Sequence, residues 1–193
     1  MKRCLIAYSS PFGQTKLISK AIAERLTDLG FHAECKSLEE THDFNYDLIV
    51  VGLPIYLSGF KKQAAKWLEG HADQLNRTKF AFFSVSASAA GTDTKKLQAL
   101  EQLVDKFLMQ FDLRPLAVQN LAGAIHYRKY NFFVRWMMKR ICAAEGGPTD
   151  TSQNHVLTDW NKVAGFASEV AQLVPDGAAI RQSKSEFESR TAD

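Results

Sequence analysis

Apolar runs of strand length alternate along this chain with segments whose apolar residues recur at helical spacing. The first run covers residues 3–8. Residues 15–29 follow with Leu17, Ile18, Ala21, Ile22 and Leu26 on helical spacing, and Gly30 as the stop. Residues 32–37 form a shorter, more polar run, expected nearer a sheet edge. Residues 47–53 are continuously apolar, as expected of a strand covered on both faces. A helix is predicted over 61–75, a strand over 79–85 and a long helix over 94–111. That last helix carries Leu97, Leu100, Leu103, Val104, Phe107 and Leu108. A fifth strand is expected over 116–122, and a closing helix over 159–173, capped by Thr158 or Asp159. Such alternation implies an α/β fold, a parallel sheet with helices on both faces. Residues 123–156 interrupt it as an insertion after the fifth strand. Residues 176–193 are polar and aperiodic, which predicts a loosely held or disordered tail beyond a single domain of residues 1–175.

The chemistry starts between the first strand and the first helix, at Ser9-Ser10-Pro11-Phe12-Gly13-Gln14-Thr15. A buried strand that breaks into a Ser/Gly/Thr loop and feeds a helix N-terminus is suited to hold a phosphate. Backbone N–H groups converge on the anion, hydroxyls add donors and the helix dipole favours negative charge. No Lys follows the Gly, so this is not a Walker A loop. A single Gly excludes the G-x-G-x-x-G dinucleotide pattern. The Ser-x-x-Gly-x-Thr pattern resembles the FMN-phosphate loop of the flavodoxins. Phe12 stands where those proteins usually carry another hydroxyl. On residues alone, an ordinary strand-to-helix turn is the alternative. With five strands, the resemblance implies a flavodoxin-like five-stranded sheet of order 2-1-3-4-5. Ligands then sit beyond the carboxyl ends of strands 1, 3 and 4. The flavin ring is expected between Pro54, Ile55 and Tyr56 of the second loop (54–59) and Ser84, Val85 and Ser86 leading into the third (84–93). Ser9, Ser10, Phe12, Gly13, Gln14 and Thr15 form the expected phosphate side.

Composition narrows the class. The 193 residues are 46% hydrophobic and 23% charged, which suits a globular core. No apolar run approaches the roughly eighteen residues of a membrane span. The apolar run behind Met1-Lys2-Arg3 is too short for a signal peptide's core, so a cytoplasmic protein is expected. Cys4, Cys35 and Cys142 are widely spaced and form no metal or redox motif with the five His. No metal site is expected.

The net charge of +3 is uneven. Arg128, Lys129, Arg135, Lys139 and Arg140 cluster inside the insertion without an acidic neighbour, leaving the rest of the chain slightly acidic. Tyr127, Tyr130, Phe132, Phe133, Trp136, Met137 and Met138 are interleaved with them. If residues 131–144 are helical, Phe133, Val134, Met137, Met138 and Ile141 share an apolar face. Phe132, Arg135, Trp136, Lys139 and Arg140 then point outward. Aromatics mixed with cations suit an anionic membrane surface or a large planar anion. A packed helix with a solvated basic side is the plainer alternative. No reading motif supports nucleic acid.

From about Leu5 to Leu173 the chain resembles the quinone-dependent protoporphyrinogen IX dehydrogenases of the flavodoxin superfamily. The matching residues are Gly13-Gln14-Thr15, Lys106-Phe107-Leu108, Ala122-Gly123-Ala124 with Tyr127 and Tyr130, Gly146-Gly147 before Thr149-Asp150-Thr151, and Thr158-Asp159-Trp160. The second loop lacks the arginine expected in the family, and the third has no aromatic to stack on a flavin. The resemblance implies an FMN enzyme that oxidises protoporphyrinogen IX and passes electrons to a membrane quinone. It places Gly147 and Thr149 near the flavin, and makes Arg128 and Lys129 candidate partners of the substrate propionates. No catalytic acid or base stands out; His126 is the nearest candidate. The resemblance also implies a peripheral position on the inner face of the cell membrane. A homo-oligomer is left open. The competing readings are a flavodoxin-type electron carrier, an NAD(P)H:quinone reductase and a flavin-free interaction protein.

Overall fold

The computed structural model describes residues 1–56, 59–144 and 147–174. The expected tail, together with Leu57, Ser58 and Gly146, lies outside the described residues. Five parallel strands, β1 (Lys2–Tyr8), β2 (Phe31–Ser37), β3 (Leu48–Pro54), β4 (Phe80–Ser86) and β5 (Ala117–Ala122), form a sheet of order β2-β1-β3-β4-β5. The expected order is borne out, and the polar β2 takes an edge.

Each inner strand buries both faces by alternation. Cys4, Ile6, Leu48, Val50, Ala81 and Phe83 face one layer; Leu5, Ala7, Ile49, Val51, Leu53 and Phe82 face the other. On the first side α1 (Gln14–Asp28) contributes Ile18, Ile22 and Leu26, and α5 (Trp160–Gln172) contributes Val163, Phe166 and Val170. On the second side α2 (Lys62–Arg77) contributes Leu68 and Leu75, and α3 (Thr94–Met109) contributes Val104, Phe107 and Leu108. Asp159 caps α5 by accepting from the N–H groups of Asn161 and Lys162 at 3.0 and 3.3 Å.

The insertion is closed at its base by a two-stranded antiparallel ladder, β6 (Ala124–Ile125) with β7 (His155–Val156). Thr158 fastens this base. Its Oγ1 donates to the carbonyls of Ala122 and Gly123 and accepts from Gln14 Nε2 at 2.8 Å. Between the two strands run a short turn at Tyr127–Lys129 and helix α4 (Phe132–Ala144). A small core of Ile125, Tyr127 and Cys142 holds them, with Met138, Tyr130 and Ala87 packed alongside.

Two expectations for α4 are corrected. Phe133 does not belong to its packing face and is 66% exposed. Only the stripe through Val134, Met137, Met138, Ile141 and Cys142 turns inward, and Phe133 lies about a hundred degrees away from Val134 around the helix. Arg135 does not point outward. Its Nε donates to the Tyr127 carbonyl at 3.0 Å and its Nη2 to the Tyr130 carbonyl at 3.1 Å. These carbonyls flank the preceding turn; Tyr127's already accepts from Tyr130 N–H at 3.2 Å, and the guanidinium fork adds a donor to each.

Candidate functional site

The loop after β1 is shaped by one residue. Ser9 N–H donates to the Gly52 carbonyl at 3.1 Å, carrying the ladder past the strand. Gly13 then takes a left-handed conformation, φ 99° and ψ −20°, and caps α1 with no side-chain acceptor. Such a φ is open to glycine and strained for residues with a Cβ. Ser10 Oγ accepts from Lys16 N–H at 2.9 Å, which leaves its proton available to a ligand. The N–H groups of Gln14 and Thr15 open the helix and have no intrahelical acceptor.

The neighbouring loops complete a wall. Ile55 N–H donates to the Val85 carbonyl at 2.8 Å, joining the β3 and β4 ends. Tyr56 and Gly59 exchange two backbone hydrogen bonds at 3.0 and 2.9 Å. The Tyr56 hydroxyl is buried and finds no hydrogen-bond partner among the described residues. Burial pushes its pKa up to about 12, with Tyr130 adding to the effect.

The insertion folds over the mouth of this cleft. The Phe12 ring meets Tyr130 edge-on at 5.5 Å, Tyr56 at 6.0 Å and His126 at 6.4 Å between centroids. Both His126 ring nitrogens are buried without a hydrogen-bond partner among the described residues. Burial, with the Lys129 charge behind it, holds this imidazole below its usual pKa, so it is neutral at pH 7. Protonation is therefore disfavoured in the folded state, and this group withdraws stability as pH falls through the ordinary histidine range.

A cavity of about 710 Å³ opens between these parts, within the size range of small-molecule sites. Ser10, Phe12 and Thr15 line one end. Pro54, Ile55, Tyr56, Val85 and Ser86 line the middle. Leu100 and Leu103 of α3 and Met137 and Met138 of α4 line the cavity as well.

A flavodoxin domain model matches residues 5–152. A protoporphyrinogen IX dehydrogenase [quinone] of Escherichia coli (strain K12) is 35% identical over 174 residues, covering 89% of this chain and 96% of that protein. One from Leishmania major is 32% identical over 175 residues, covering 89% and 75%. This chain belongs to the flavodoxin-domain family of protoporphyrinogen IX dehydrogenases. Membership makes it a flavodoxin-like oxidoreductase. Among solved structures, a flavodoxin from Streptococcus pneumonia TIGR4 aligns with TM-score 0.56 at 15% identity, covering 89% of this chain and 99% of that one. Oxidised flavodoxin 1 from Bacillus cereus aligns with TM-score 0.53 at 14% identity, covering 88% and 97%. Both likenesses speak for the fold alone.

The site residues expected from sequence divide into groups. Ser10, Phe12, Gln14, Thr15, Pro54, Ile55, Tyr56, Val85 and Ser86 meet around the cavity. Ser9 and Gly13 shape the loop through their backbone. Ser84 is enclosed in the sheet, where its Oγ donates to Asn120 Oδ1 at 2.5 Å. Gly147 N–H donates to the Cys142 carbonyl at 2.8 Å and ends α4; Thr149 is exposed. Neither is among the described cavity-lining residues. Their place is set by Tyr127, whose buried hydroxyl donates to the Pro148 carbonyl at 2.8 Å. Arg128 is exposed, and Lys129 reaches the loop after β1. Sequence reasoning missed the α3 wall, Leu100 and Leu103. The signal was present: α3 carries more apolar positions than one face needs, and Leu103 remains 38% exposed.

Proposed function

We propose that this protein binds FMN in the cleft and oxidises protoporphyrinogen IX to protoporphyrin IX, with the electrons passed to a membrane quinone. The observation that carries the reading is a glycine-opened helix end joined to a mostly apolar cavity, roofed by an insertion. The donors fit the group: unpaired N–H groups at Gln14 and Thr15 and the Ser10 hydroxyl face the cavity's phosphate end. When bound, FMN supplies two-electron redox chemistry, so removing six hydrogens takes three turnovers. Ile55, Tyr56 and Val85 flank the space for the ring, and Tyr56 and His126 present unpaired polar atoms there. The side chains that α3 and α4 bring to the cavity are mostly apolar, as a flat tetrapyrrole or a quinone head requires.

The decisive experiment is anaerobic. Protoporphyrinogen IX should bleach the bound flavin, and added quinone should restore its colour. A flavin that stays oxidised with protoporphyrinogen but is reduced by NAD(P)H would replace this reading with the reductase. A flavin reducible only by protein donors would replace it with the electron carrier.

The outer face of α4 supports a peripheral position at the cytoplasmic side of an anionic membrane. Phe132, Phe133 and Trp136 are 85%, 66% and 51% exposed. Phe133 and Trp136 lie 6.4 Å apart, and the Arg140 guanidinium sits 5.4 Å over the Trp136 ring. Lys139 is exposed beside them. No helix among the described residues is long and apolar enough to cross a membrane. Near an anionic surface each basic residue contributes roughly 1 kcal/mol, so Lys139→Gln with Arg140→Gln should weaken vesicle binding by roughly thirtyfold. The loss should shrink as salt rises. Arg135 is left unchanged in this test because it holds the turn beneath α4. Turnover with quinone in vesicles should fall more than turnover with a soluble acceptor. Equal falls would reduce α4 to a structural element.

A further inference from the structure

We infer that Lys129, carried by the insertion, supplies the positive charge of the phosphate site and closes it over the cofactor. The inference deepens the FMN reading and rests on it. Lys129 Nζ donates to the Phe12 carbonyl at 2.8 Å. It lies 3.9 Å from where a Cβ on Gly13 would stand, directly over the residue that opens α1.

Lys129 is exposed, with its ammonium held beside the opening of α1 by the Phe12 carbonyl. The N-terminus of α1 carries the positive end of the helix dipole, which repels an ammonium. Among the described residues no carboxylate forms an ion pair with Lys129. The Phe12 carbonyl occupies one of its three donors, leaving two for a ligand. Two positive features converge on one point, and a dianionic phosphate between them relieves both. The same loop lacks a side-chain donor at Phe12 where a hydroxyl would otherwise help.

The insertion is built to deliver this group. Lys129 N–H donates to the His126 carbonyl at 2.9 Å, and Arg135 pins the carbonyls of Tyr127 and Tyr130 on either side. The Phe12 ring, wedged against Tyr130 and His126, holds loop and insertion together. Lys129 is thus placed to read the phosphate, whereas the sequence had offered it to the substrate propionates.

The test compares two flavins that differ only in the phosphate. The full chain, freed of flavin, is titrated with FMN and with riboflavin by fluorescence quenching. The proteins are wild type, Lys129→Met and Lys129→Gln. A charge-assisted hydrogen bond of this kind is worth roughly ten- to a hundredfold in affinity. FMN affinity should fall by that factor in both variants, riboflavin affinity should stay within about twofold, and the salt dependence of FMN binding should flatten. Lys129→Gln keeps a donor for the Phe12 carbonyl, so it separates the charge from the tether. Equal losses for both flavins, or FMN affinity retained in Lys129→Gln, would overturn the inference while leaving the FMN reading intact. Wild-type protein that binds neither flavin would overturn both.

Discussion

Gly13→Val should reduce FMN affinity at least about tenfold while leaving the sheet folded. The left-handed φ of 99° at this position costs a residue with a Cβ roughly 1–2 kcal/mol, and a β-branched residue more. Space is not the obstacle, since the nearest neighbour of an added Cβ is Lys129 Nζ at 3.9 Å. The cost lies in the backbone. Relief would require rotating the peptide between Phe12 and Gly13. That rotation turns the Phe12 carbonyl away from Lys129 and re-aims the donors that open α1. Gly13→Asn should lose much less, because asparagine tolerates this conformation. Adding Thr15→Ala to Gly13→Val should deepen the loss. Fluorescence titration of all three variants checks this. Unchanged FMN affinity in the double variant would remove the phosphate assignment.

Gly52→Ala should be the most damaging single methyl in the sheet. Gly52 pairs with Phe83 across β3 and β4, so both point to the same face. The Phe83 ring lies across the glycine, and an added Cβ would stand 2.1 Å from its Cζ. The ring cannot swing clear: it is fully buried and meets Phe166 of α5 at 6.1 Å. Overpacking of this kind costs about 1–3 kcal/mol, a fall in Tm of roughly 2–10 °C for a chain of this size. Phe83→Leu should restore part of the loss in the double variant by removing the clashing atoms. A Gly52→Ala protein that melts with the wild type would show that α5 yields to the displaced ring.

The five strands and the glycine turn that opens α1 were legible in the sequence because their signals are local. A continuous apolar run such as Ile49–Leu53 has one use in an α/β protein, and the step from β1 through Gly13 into α1 is written in consecutive residues. Boundaries moved by a residue or two. Gln14, not Thr15, opens α1, because the left-handed turn ends at Gly13.

The insertion was legible only as composition. Its aromatic and basic content could be read, but the direction of each side chain could not. Helical spacing assigned Phe133 to the packing face and Arg135 to solvent, and both assignments fail for one reason. The face a helix buries depends on what lies beneath it, and here that is the cavity wall and the carbonyls of Tyr127 and Tyr130 at the two ends of the turn. Arg135 is drawn in by hydrogen bonds to backbone atoms, which leave no trace in residue type. Gly147 and Thr149 likewise follow the end of α4 and the Tyr127 anchor, away from the cavity wall. Lys129 and Phe12, far apart in the chain, meet because Thr158 and Gln14 bring the base of the insertion back beside α1. Local pattern thus sufficed for the fold and for the shape of the loop between β1 and α1. Which side chains reach that loop, and which remain exposed on α4, was decided by long-range contacts whose geometry exists only once the chain has folded.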